Sequence, residues 1–311
     1  MKFRILLSYH YNKDTDLDAF VEKFDEAPDI FIDSGGFSAM TQGATINIKE
    51  YAEFLRRYAH RITVYANLDE IGNPQRTLEN QKRLEDAGLR PIPVFHTAED
   101  FLYLERYVES YPYIALGGMV PYMTQWKKLM PWIIKCFSIA GKRSMFHGFG
   151  CTTWEIARRV PWYSIDSSTW CVSFKFGEVP LFDWKNGRFV RAKLGDAAGC
   201  KSMRHLFDAH KFDWRDFADR SRNSRAHNAG VSAVAFAIGE RYLRKVHGEL
   251  VMLDRETGAR VYLADSGADG ILASQMLKNM RTTAGEGDSF VSSKSRLAAF
   301  HDADAAVKDE S

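Results

Sequence analysis

The residues best suited to chemistry are three aspartates, each close behind a short apolar run in the first 170 residues. They occur in Asp33-Ser34-Gly35-Gly36-Phe37, Asn67-Leu68-Asp69-Glu70 and Asp166-Ser167-Ser168. Carboxylates near apolar and aromatic side chains can divide labour, because one stays ionised while another has a raised pKa and transfers protons. That division serves glycosyl chemistry, in which a carboxylate captures an oxocarbenium-like sugar carbon.

The first segment also carries groups that could hold a flat ligand. Gly35 and Gly36 let the backbone turn sharply and let such a ligand come close, and Phe37 could cover its face. The alternative is a Gly-Gly turn with an Asx-type hydrogen bond from Asp33.

Further polar groups follow other apolar runs: His96, Gly117-Gly118 and His147-Gly148. The polar groups at these positions also have structural interpretations. Asp69 could cap a helix, His96 could be a core histidine and Asp166 could belong to a turn. Metal binding is a rival interpretation of Asp and His together. The absence of an HxH or HxxxH pair in this part of the sequence lowers that option.

The elements that must position these groups alternate between strands and helices. Strands are predicted at residues 3–8, 29–32, 62–67, 91–95, 113–116, 144–146 and 163–165. Several are continuous apolar runs, which is typical of strands buried on both faces of a parallel sheet. The pattern predicts an α/β fold of the TIM-type (β/α)8 class with a degenerate final unit, in which all these strand ends lie on one face. A doubly wound sheet is the alternative, weakened because no GxGxxG follows the first strand.

Helix starts support this alternation. Asn73-Pro74 predicts an N-cap followed by proline at the first helical position, and Thr97 with Asp100 predicts a capping box.

The last third has a different composition, and three regions are predicted: a catalytic barrel at 1–200, a basic helical extension at 201–281 and a disordered tail at 282–311. The extension's Arg, Lys and His residues fit either a solvated helical surface or a face that contacts phosphates. Within it, helices are predicted at 231–246 and 271–280, with a hairpin pairing 249–253 and 260–264.

Composition sets further bounds. The 311 residues are 45% hydrophobic and carry a net charge of +2, so the chain can form one large core and has no global polycationic character. The four cysteines form no CxxC pair, and neither a signal peptide nor a membrane span is recognised, which predicts a reduced, cytoplasmic protein.

The aspartate segments resemble those of tRNA-guanine transglycosylases. Asp33-Ser34-Gly35-Gly36-Phe37 is similar to that family's DSGGF/Y motif. The other segments follow in the family's order: Leu68-Asp69-Glu70, Ala115-Leu116-Gly117-Gly118, His147-Gly148-Phe149-Gly150 and Ser164-Ile165-Asp166-Ser167. The resemblance covers about residues 29–170.

The resemblance implies a role for each segment. Asp166 would be the nucleophile at C1′ of a guanosine-type nucleotide, and Asp33 would be the general acid/base. Asp69 would hydrogen-bond the base edge. The backbone at Gly117 and Gly118 would contact the base, which Phe37 and His147 would sandwich. Ser34, Gly35, Gly36, His96 and Gly148 complete the expected substrate site, with no cofactor.

The chain also departs from the family. His96 stands near the place of a Gln that the tRNA enzymes commonly have, and their CxCxxC…H zinc motif cannot be built here. Cys171, Cys200, His205 and His210 could form only a non-standard metal site, so no metal is expected. These departures make the chain look more like the DNA-modifying branch of phages and bacterial genomic islands, which exchanges guanine for a 7-deazaguanine such as preQ0.

The expected partners are therefore DNA, guanine and a 7-deazaguanine base, with a homodimer or an accessory protein possible. Three alternatives stay open. They are a tRNA-guanine transglycosylase with an atypical docking region, a catalytically silent accessory barrel, and a glycoside hydrolase. The silent barrel is disfavoured because it would not need both Asp33 and Asp166.

Overall fold

The computed structural model describes residues 4–24, 26–151, 153–172, 176–247 and 260–265. Its strands are β1 (Arg4–Ser8), β2 (Asp29–Asp33), β3 (Ile62–Tyr65), β4 (Val94–His96), β5 (Tyr113–Gly117), β6 (Met145–Gly148), β7 (Ser164–Ser167), β8 (Glu178–Asp183), β9 (Arg188–Lys193) and β10 (Arg260–Asp265). All seven strands predicted for the first 170 residues are present, with ends shifted by up to three residues.

Eight of these strands form one parallel sheet in the order β3-β2-β1-β10-β7-β6-β5-β4. The two edge strands also approach each other, because Ala66 and Ile92 form a parallel bridge just beyond β3 and just before β4. Backbone hydrogen bonds from Ile92 N–H to Tyr65 O and from Asn67 N–H to Ile92 O, both 2.9 Å, hold this bridge. The chain thus has an α/β fold with a curled parallel sheet, which is compatible with the predicted TIM-type barrel.

The two faces of the sheet are both buried. Leu6, Phe31 and Ala115 belong to a cluster on the inner face, whereas their neighbours Ile5 and Ile30 pack with the helices outside. Side chains alternate between faces along a strand, so continuous apolar runs supply both layers. This arrangement explains why the strands read as unbroken hydrophobic stretches.

The helices lie in the connections between the strands. They are α1 (Tyr9–Asn12), α2 (Leu17–Val21), α3 (Gly36–Thr41), α4 (Ile48–Arg57), α5 (Pro74–Asp86), α6 (Phe101–Ser110), α7 (Trp126–Ala140), α8 (Trp154–Ala157), α9 (Thr169–Val172), α10 (Ala197–Ser202), α11 (Arg204–Ala209), α12 (Arg215–Ala218) and α13 (Arg225–His247), with a 3-10 helix at Val120–Gln125. Every helix of the described residues is too short or too polar to cross a membrane.

Of the two predicted helix starts, the one at Asn73-Pro74 is confirmed and the one at Thr97 is wrong. Asn73 caps α5 by accepting the Arg76 N–H, and Pro74 is the first helical residue, as predicted. For α6 the cap is Asp100 itself, which accepts the Leu102 N–H, so the capping box from Thr97 is wrong. A short carboxylate can take the N-cap position directly, and here it does.

The eighth strand of the sheet comes from a segment predicted as half of a hairpin. β10 pairs in parallel with β1 on one side and with β7 on the other. Both edges of β10 are therefore hydrogen-bonded to other strands, so the predicted hairpin between 249–253 and this strand is wrong. That partner segment, the helix predicted at 271–280 and the tail at 282–311 lie outside the described residues.

Residues between β7 and β10 build a second packed region. β8 and β9 form an antiparallel pair that was not predicted from the sequence, and α10 to α12 pack with it around Phe207 and Phe217. The helix predicted at 231–246 is present as α13. The predicted boundary at residue 200 falls inside α10 and precedes the strand that completes the sheet.

The charged stretch within this region is partly self-paired. Arg222 contacts Asp216 at 2.8 Å and Arg215 contacts Asp213 at 3.4 Å. Exposed pairs of this kind contribute little to stability. They fit the solvated-surface interpretation of residues 201–228.

Candidate active site

A cavity of about 410 Å³ opens at the carboxyl ends of the parallel strands. Three aspartates line it, Asp33, Asp69 and Asp166, which arrive from β2, the segment after β3, and β7, and Glu99 is a fourth carboxylate in its lining. This is the end of a parallel α/β sheet at which ligands bind. The volume falls in the range of roughly 300–1,000 Å³ that is common for small-molecule sites.

Asp33 is the carboxyl group whose acidity is most changed. Burial, with the nearby charges of Asp69 and Asp166 adding to it, raises the pKa of Asp33 to about 8. The Gly35 N–H, which donates to Asp33 Oδ2 at 3.1 Å, works in the opposite direction. Asp33 is thus protonated at neutral pH and can donate a proton into the cavity.

Asp69 is held by two donors. Ser34 Oγ donates to Asp69 Oδ1 at 3.0 Å, and His96 Nε2 donates to Asp69 Oδ2 at 2.9 Å. Each carboxylate oxygen has two lone pairs, so both oxygens can still accept a hydrogen bond from a ligand.

His96 is a buried cation between two carboxylates. Its Nδ1 donates to Glu99 Oε1 at 3.0 Å, and its backbone N–H donates to Glu99 Oε2 at 3.1 Å. Burial alone would lower its pKa, but the hydrogen bonds that the ring donates to Asp69 and Glu99 outweigh that effect and raise the pKa to about 10. The imidazolium offsets part of the negative charge gathered at the cavity.

Asp166 is fixed through one oxygen. Its Oδ1 accepts the Gly150 N–H at 2.8 Å, and His147 Nε2 lies 3.3 Å from the same oxygen. Only 6% of the Asp166 residue is exposed, although it lines the cavity. Within the described residues, no hydrogen bond or ion pair falls on Oδ2, which leaves that oxygen for chemistry.

Glycines make room for the floor of the cavity. A Cβ on Gly117 would lie 2.8 Å from His96 Cδ2, and one on Gly36 would lie 2.8 Å from the Asp69 carbonyl oxygen. Any side chain at these positions would displace the groups that line the site. The glycines are therefore needed for close approach rather than only for a turn.

Aromatic side chains stand at the cavity wall. Phe37 is 52% exposed and Tyr122 is 45% exposed, although both line the cavity. Phe149 lies deeper and packs edge-on against the His147 ring at 4.6 Å. Such rings can stack on the face of a planar ligand.

The structure brings together most of the residues predicted for the site. Asp33, Gly36, Phe37, Asp69, His96, Gly117, Gly118 and Asp166 all line the cavity. Ser34, Gly35, His147 and Gly148 do not. Ser34 supports Asp69, Gly35 takes a φ of +79° that turns the chain into α3, and Gly148 lies against Trp162.

His147 differs most from its expected position. Its side chain is wholly buried beneath the cavity, so the structure does not place it as a wall for a base. Phe149, two residues later, lines the cavity instead. Both side chains lie on the same inner face of the sheet, where both pack against Phe31, but His147 is within β6 and Phe149 follows its carboxyl end, so only Phe149 reaches the cavity.

Several lining residues were not predicted, among them Glu99, Tyr122 and Gly150. Glu99 stands three residues after His96, and its role depends on a turn after β4 that no sequence pattern marked. Gly150 closes the His147-Gly148-Phe149-Gly150 segment, so its position could have been inferred from that glycine-rich strand end.

Two residues of the hypothetical metal site have other contacts. His210 Nε2 accepts the Phe182 N–H at 2.9 Å while its Nδ1 donates to the Leu206 carbonyl, and burial lowers its pKa to about 4. Cys200 Sγ contacts the Lys193 carbonyl at 3.5 Å. Across the described residues, no three His, Cys, Asp or Glu side chains are grouped as metal ligands would be.

Comparison with protein-family models and with curated proteins found no match to this chain.

Proposed function

We propose that this protein is a base-exchange transglycosylase that replaces guanine in DNA with a 7-deazaguanine base such as preQ0. The observation that carries the proposal is one cavity lined by Asp33, with a raised pKa, and by Asp166, with one oxygen held and the other available. An acid and a nucleophile in one pocket are what displacement at a glycosidic carbon requires. We also propose that the curled parallel sheet belongs to a complete (β/α)8 barrel like that of the transglycosylases.

The reaction divides into two displacements. Asp166 Oδ2 attacks C1′, the bond from C1′ to guanine N9 breaks with its electron pair going to the base, and Asp33 donates a proton to the departing guanine. The incoming base then attacks C1′, gives its N–H proton to the Asp33 carboxylate and releases Asp166. Both aspartates return to their starting states, so no cofactor is consumed.

Base recognition falls to the groups between the two aspartates. The Asp69 carboxylate can accept from the N–H groups of a guanine-type edge, and the backbone at Gly117 and Gly118 can contact its polar rim. Phe37 and Phe149 offer aromatic faces to the ring, and stacking on such faces contributes roughly 1–3 kcal/mol per base.

DNA is the proposed polymer because the chain resembles the DNA-modifying branch. A cavity at the strand ends demands that the target nucleotide leave its stack, as base-modifying enzymes require. The deep position of Asp166, only 6% exposed, supports a flipped nucleotide rather than attack on a stacked one.

The test is incorporation of radiolabelled guanine and preQ0 by the purified protein into double-stranded DNA, single-stranded DNA and tRNA. We expect label in DNA and none in tRNA. Label only in tRNA would move the protein to the tRNA enzymes. Label in neither polymer would contradict the proposed activity, provided that a known transglycosylase labels the same tRNA in parallel.

A matched pair of variants ties the activity to the site. Asp166→Asn removes the nucleophile while keeping the shape of the side chain, and it should abolish incorporation. Asp196→Asn changes an exposed helix-capping aspartate remote in sequence and should leave incorporation unchanged. Full exchange by the Asp166 variant would exclude the proposed mechanism.

A further inference from the structure

A line of polar contacts runs beneath Asp166 and has no part in the two displacements. The Tyr113 hydroxyl lies 2.5 Å from Ser164 Oγ, and Ser164 Oγ lies 2.5 Å from His147 Nδ1. The other ring nitrogen of His147 lies 3.3 Å from Asp166 Oδ1. Neighbouring strands β5, β6 and β7 supply these residues, and His147 is the register partner of Ser164.

The direction of these hydrogen bonds follows from electrostatics. If Nδ1 carried the ring proton, the bare lone pair of Nε2 would face the Asp166 carboxylate, and two acceptors would repel each other. With the proton on Nε2, an N–H faces the carboxylate and Nδ1 accepts from Ser164. Ser164 then accepts from the Tyr113 hydroxyl. Among the described residues His147 Nε2 has no hydrogen-bond partner of good geometry, so its 3.3 Å approach to Asp166 Oδ1 is an electrostatic contact that orients the ring.

The surroundings keep the imidazole neutral. His147 and Ser164 are wholly buried, and the His147 ring packs between Phe31 at 4.5 Å and Phe149 at 4.6 Å. Burial lowers the pKa of His147, against the effect of Asp166. A fixed neutral tautomer can orient a carboxylate without forming an ion pair that would weaken it as a nucleophile.

We propose that Tyr113, Ser164 and His147 form a positioning relay that fixes the His147 Nε2–H tautomer against Asp166 Oδ1 and so selects Oδ2 as the attacking oxygen. This inference rests on the proposed function, because it assigns these residues to the nucleophile. The Gly150 N–H at 2.8 Å from Oδ1 acts together with the relay. The Gly150 hydrogen bond and the His147 Nε2 contact both fall on Oδ1, so together they favour one orientation of the carboxylate.

The first test is independent of activity. Protein labelled with 15N-histidine is measured by NMR at neutral pH, and the His147 resonances are assigned by their loss in His147→Gln. We expect a neutral ring with the proton on Nε2. A ring protonated on Nδ1, or on both nitrogens, would overturn the relay even if base exchange is confirmed.

The second test separates positioning from packing. His147→Gln keeps an N–H donor near the place of Nε2, whereas His147→Asn places its amide near Nδ1 and leaves Asp166 without that donor. We expect His147→Asn to lower kcat for base exchange by about 10–100-fold with little change in KM, and His147→Gln to retain more of it. Equal kcat in the two variants, at equal thermal stability, would overturn the proposal.

The far end of the relay has its own control. Tyr113→Phe removes the hydroxyl that fixes Ser164, and we expect a mixture of His147 tautomers and a lower kcat. Tyr107→Phe is the control. In the described part of the chain the Tyr107 hydroxyl is buried and makes no hydrogen bond, so its removal should change neither the His147 tautomer nor kcat. If Tyr113→Phe behaves like Tyr107→Phe in both measurements, the relay does not act on Asp166.

Failure of the relay and failure of the proposed function remain distinguishable. No exchange by the unmodified protein on any polymer contradicts the function, while the tautomer of His147 still decides whether the relay exists. Exchange with a Nδ1–H imidazole contradicts the relay alone.

Discussion

At the scale of residues, the cavity separates carboxyl groups by their surroundings. Asp33 meets burial and the charges of two other aspartates, while Asp166 is held by the Gly150 N–H. The number of residues that separates Asp33 from Asp166 in the sequence does not determine their pKa values. The parallel, curled sheet brings their strand ends to one cavity, where these different surroundings give the two carboxyl groups different chemical properties.

The raised pKa of Asp33 predicts a pH limit for base exchange. Asp33 must carry a proton to protonate the departing guanine, and it loses that proton as the pH rises through about 8. We expect kcat/KM to fall by about tenfold per pH unit above that value. Asp69→Asn removes one of the charges that raise the pKa and should move the limit to lower pH. A profile flat to pH 10 would assign the acid to another group.

The same pKa predicts an effect on stability. The folded chain keeps Asp33 protonated up to pH about 8, whereas the unfolded chain ionises it near 3.8. Between these values the folded state binds the extra proton, so the free energy of unfolding falls as the pH rises. Asp33→Asn should therefore be more stable than the parent by about 1–3 kcal/mol at pH 8.

That gain should disappear on acidification, which provides the internal control. Near pH 3 the carboxyl group is neutral in the folded state and mostly neutral in the unfolded one, and the two proteins should unfold at similar denaturant concentrations. An Asp33→Asn variant that is less stable than the parent at pH 8 would show that the ionised carboxylate is tolerated in the cavity.

At the scale of elements, the turn from β2 into α3 places Asp33, Ser34 and Phe37. Gly35 has a φ of +79°, and a Cβ there would lie 2.3 Å from Ser8 Oγ and 2.6 Å from His10 Cβ. The left-handed backbone and the crowding act together, so this glycine admits no replacement without movement of β1 or the turn.

Gly35→Ala should destabilise the protein by about 2–4 kcal/mol, as strain in the backbone adds to steric overlap. Gly43 is the matched control, because its φ is +66° but nothing lies within 4 Å of an added Cβ. Gly43→Ala should cost about 1 kcal/mol, measured by denaturant unfolding. Equal losses at the two positions would show that crowding at Gly35 is relieved.

Features that depend on local sequence patterns, such as strands and strand-end residues, were predicted. Features that depend on pairing between distant segments were not. Apolar runs and the residues at their ends located seven strands and eight of the cavity-lining residues. The role of Arg260–Asp265 was hidden, because a six-residue strand looks the same in a hairpin as in a parallel sheet. The burial of His147 and the contact of Glu99 with His96 depend on strand register and on a turn, which residue types alone do not reveal.

At the scale of the whole molecule, the last described strand completes the sheet. β10 lies between β1 and β7, and the Val261 N–H donates to Glu240 of α13 at 2.8 Å. Trp170 Nε1 donates to the Ala264 carbonyl at 3.0 Å. The residues between β7 and β10 are thus joined to the sheet from both ends, and the arrangement of the strand ends that line the cavity depends on β10.

Two truncations test this dependence. A chain ending at residue 247 lacks β10, leaves the edges of β1 and β7 unpaired, and should lose cooperative thermal unfolding or aggregate. A chain ending at residue 281 keeps β10 and should unfold within a few degrees of the full protein. A folded, cooperative 1–247 chain would show that the remaining strands close without β10.

The most direct test of the central claim is capture of the covalent intermediate. The protein is incubated with a guanine-containing DNA oligonucleotide without incoming base, denatured, and examined by gel and peptide mass spectrometry. We expect an adduct of protein and DNA lacking one guanine, attached at Asp166 and missing in Asp166→Asn. Base exchange without such an adduct, or an adduct at another residue, would contradict it.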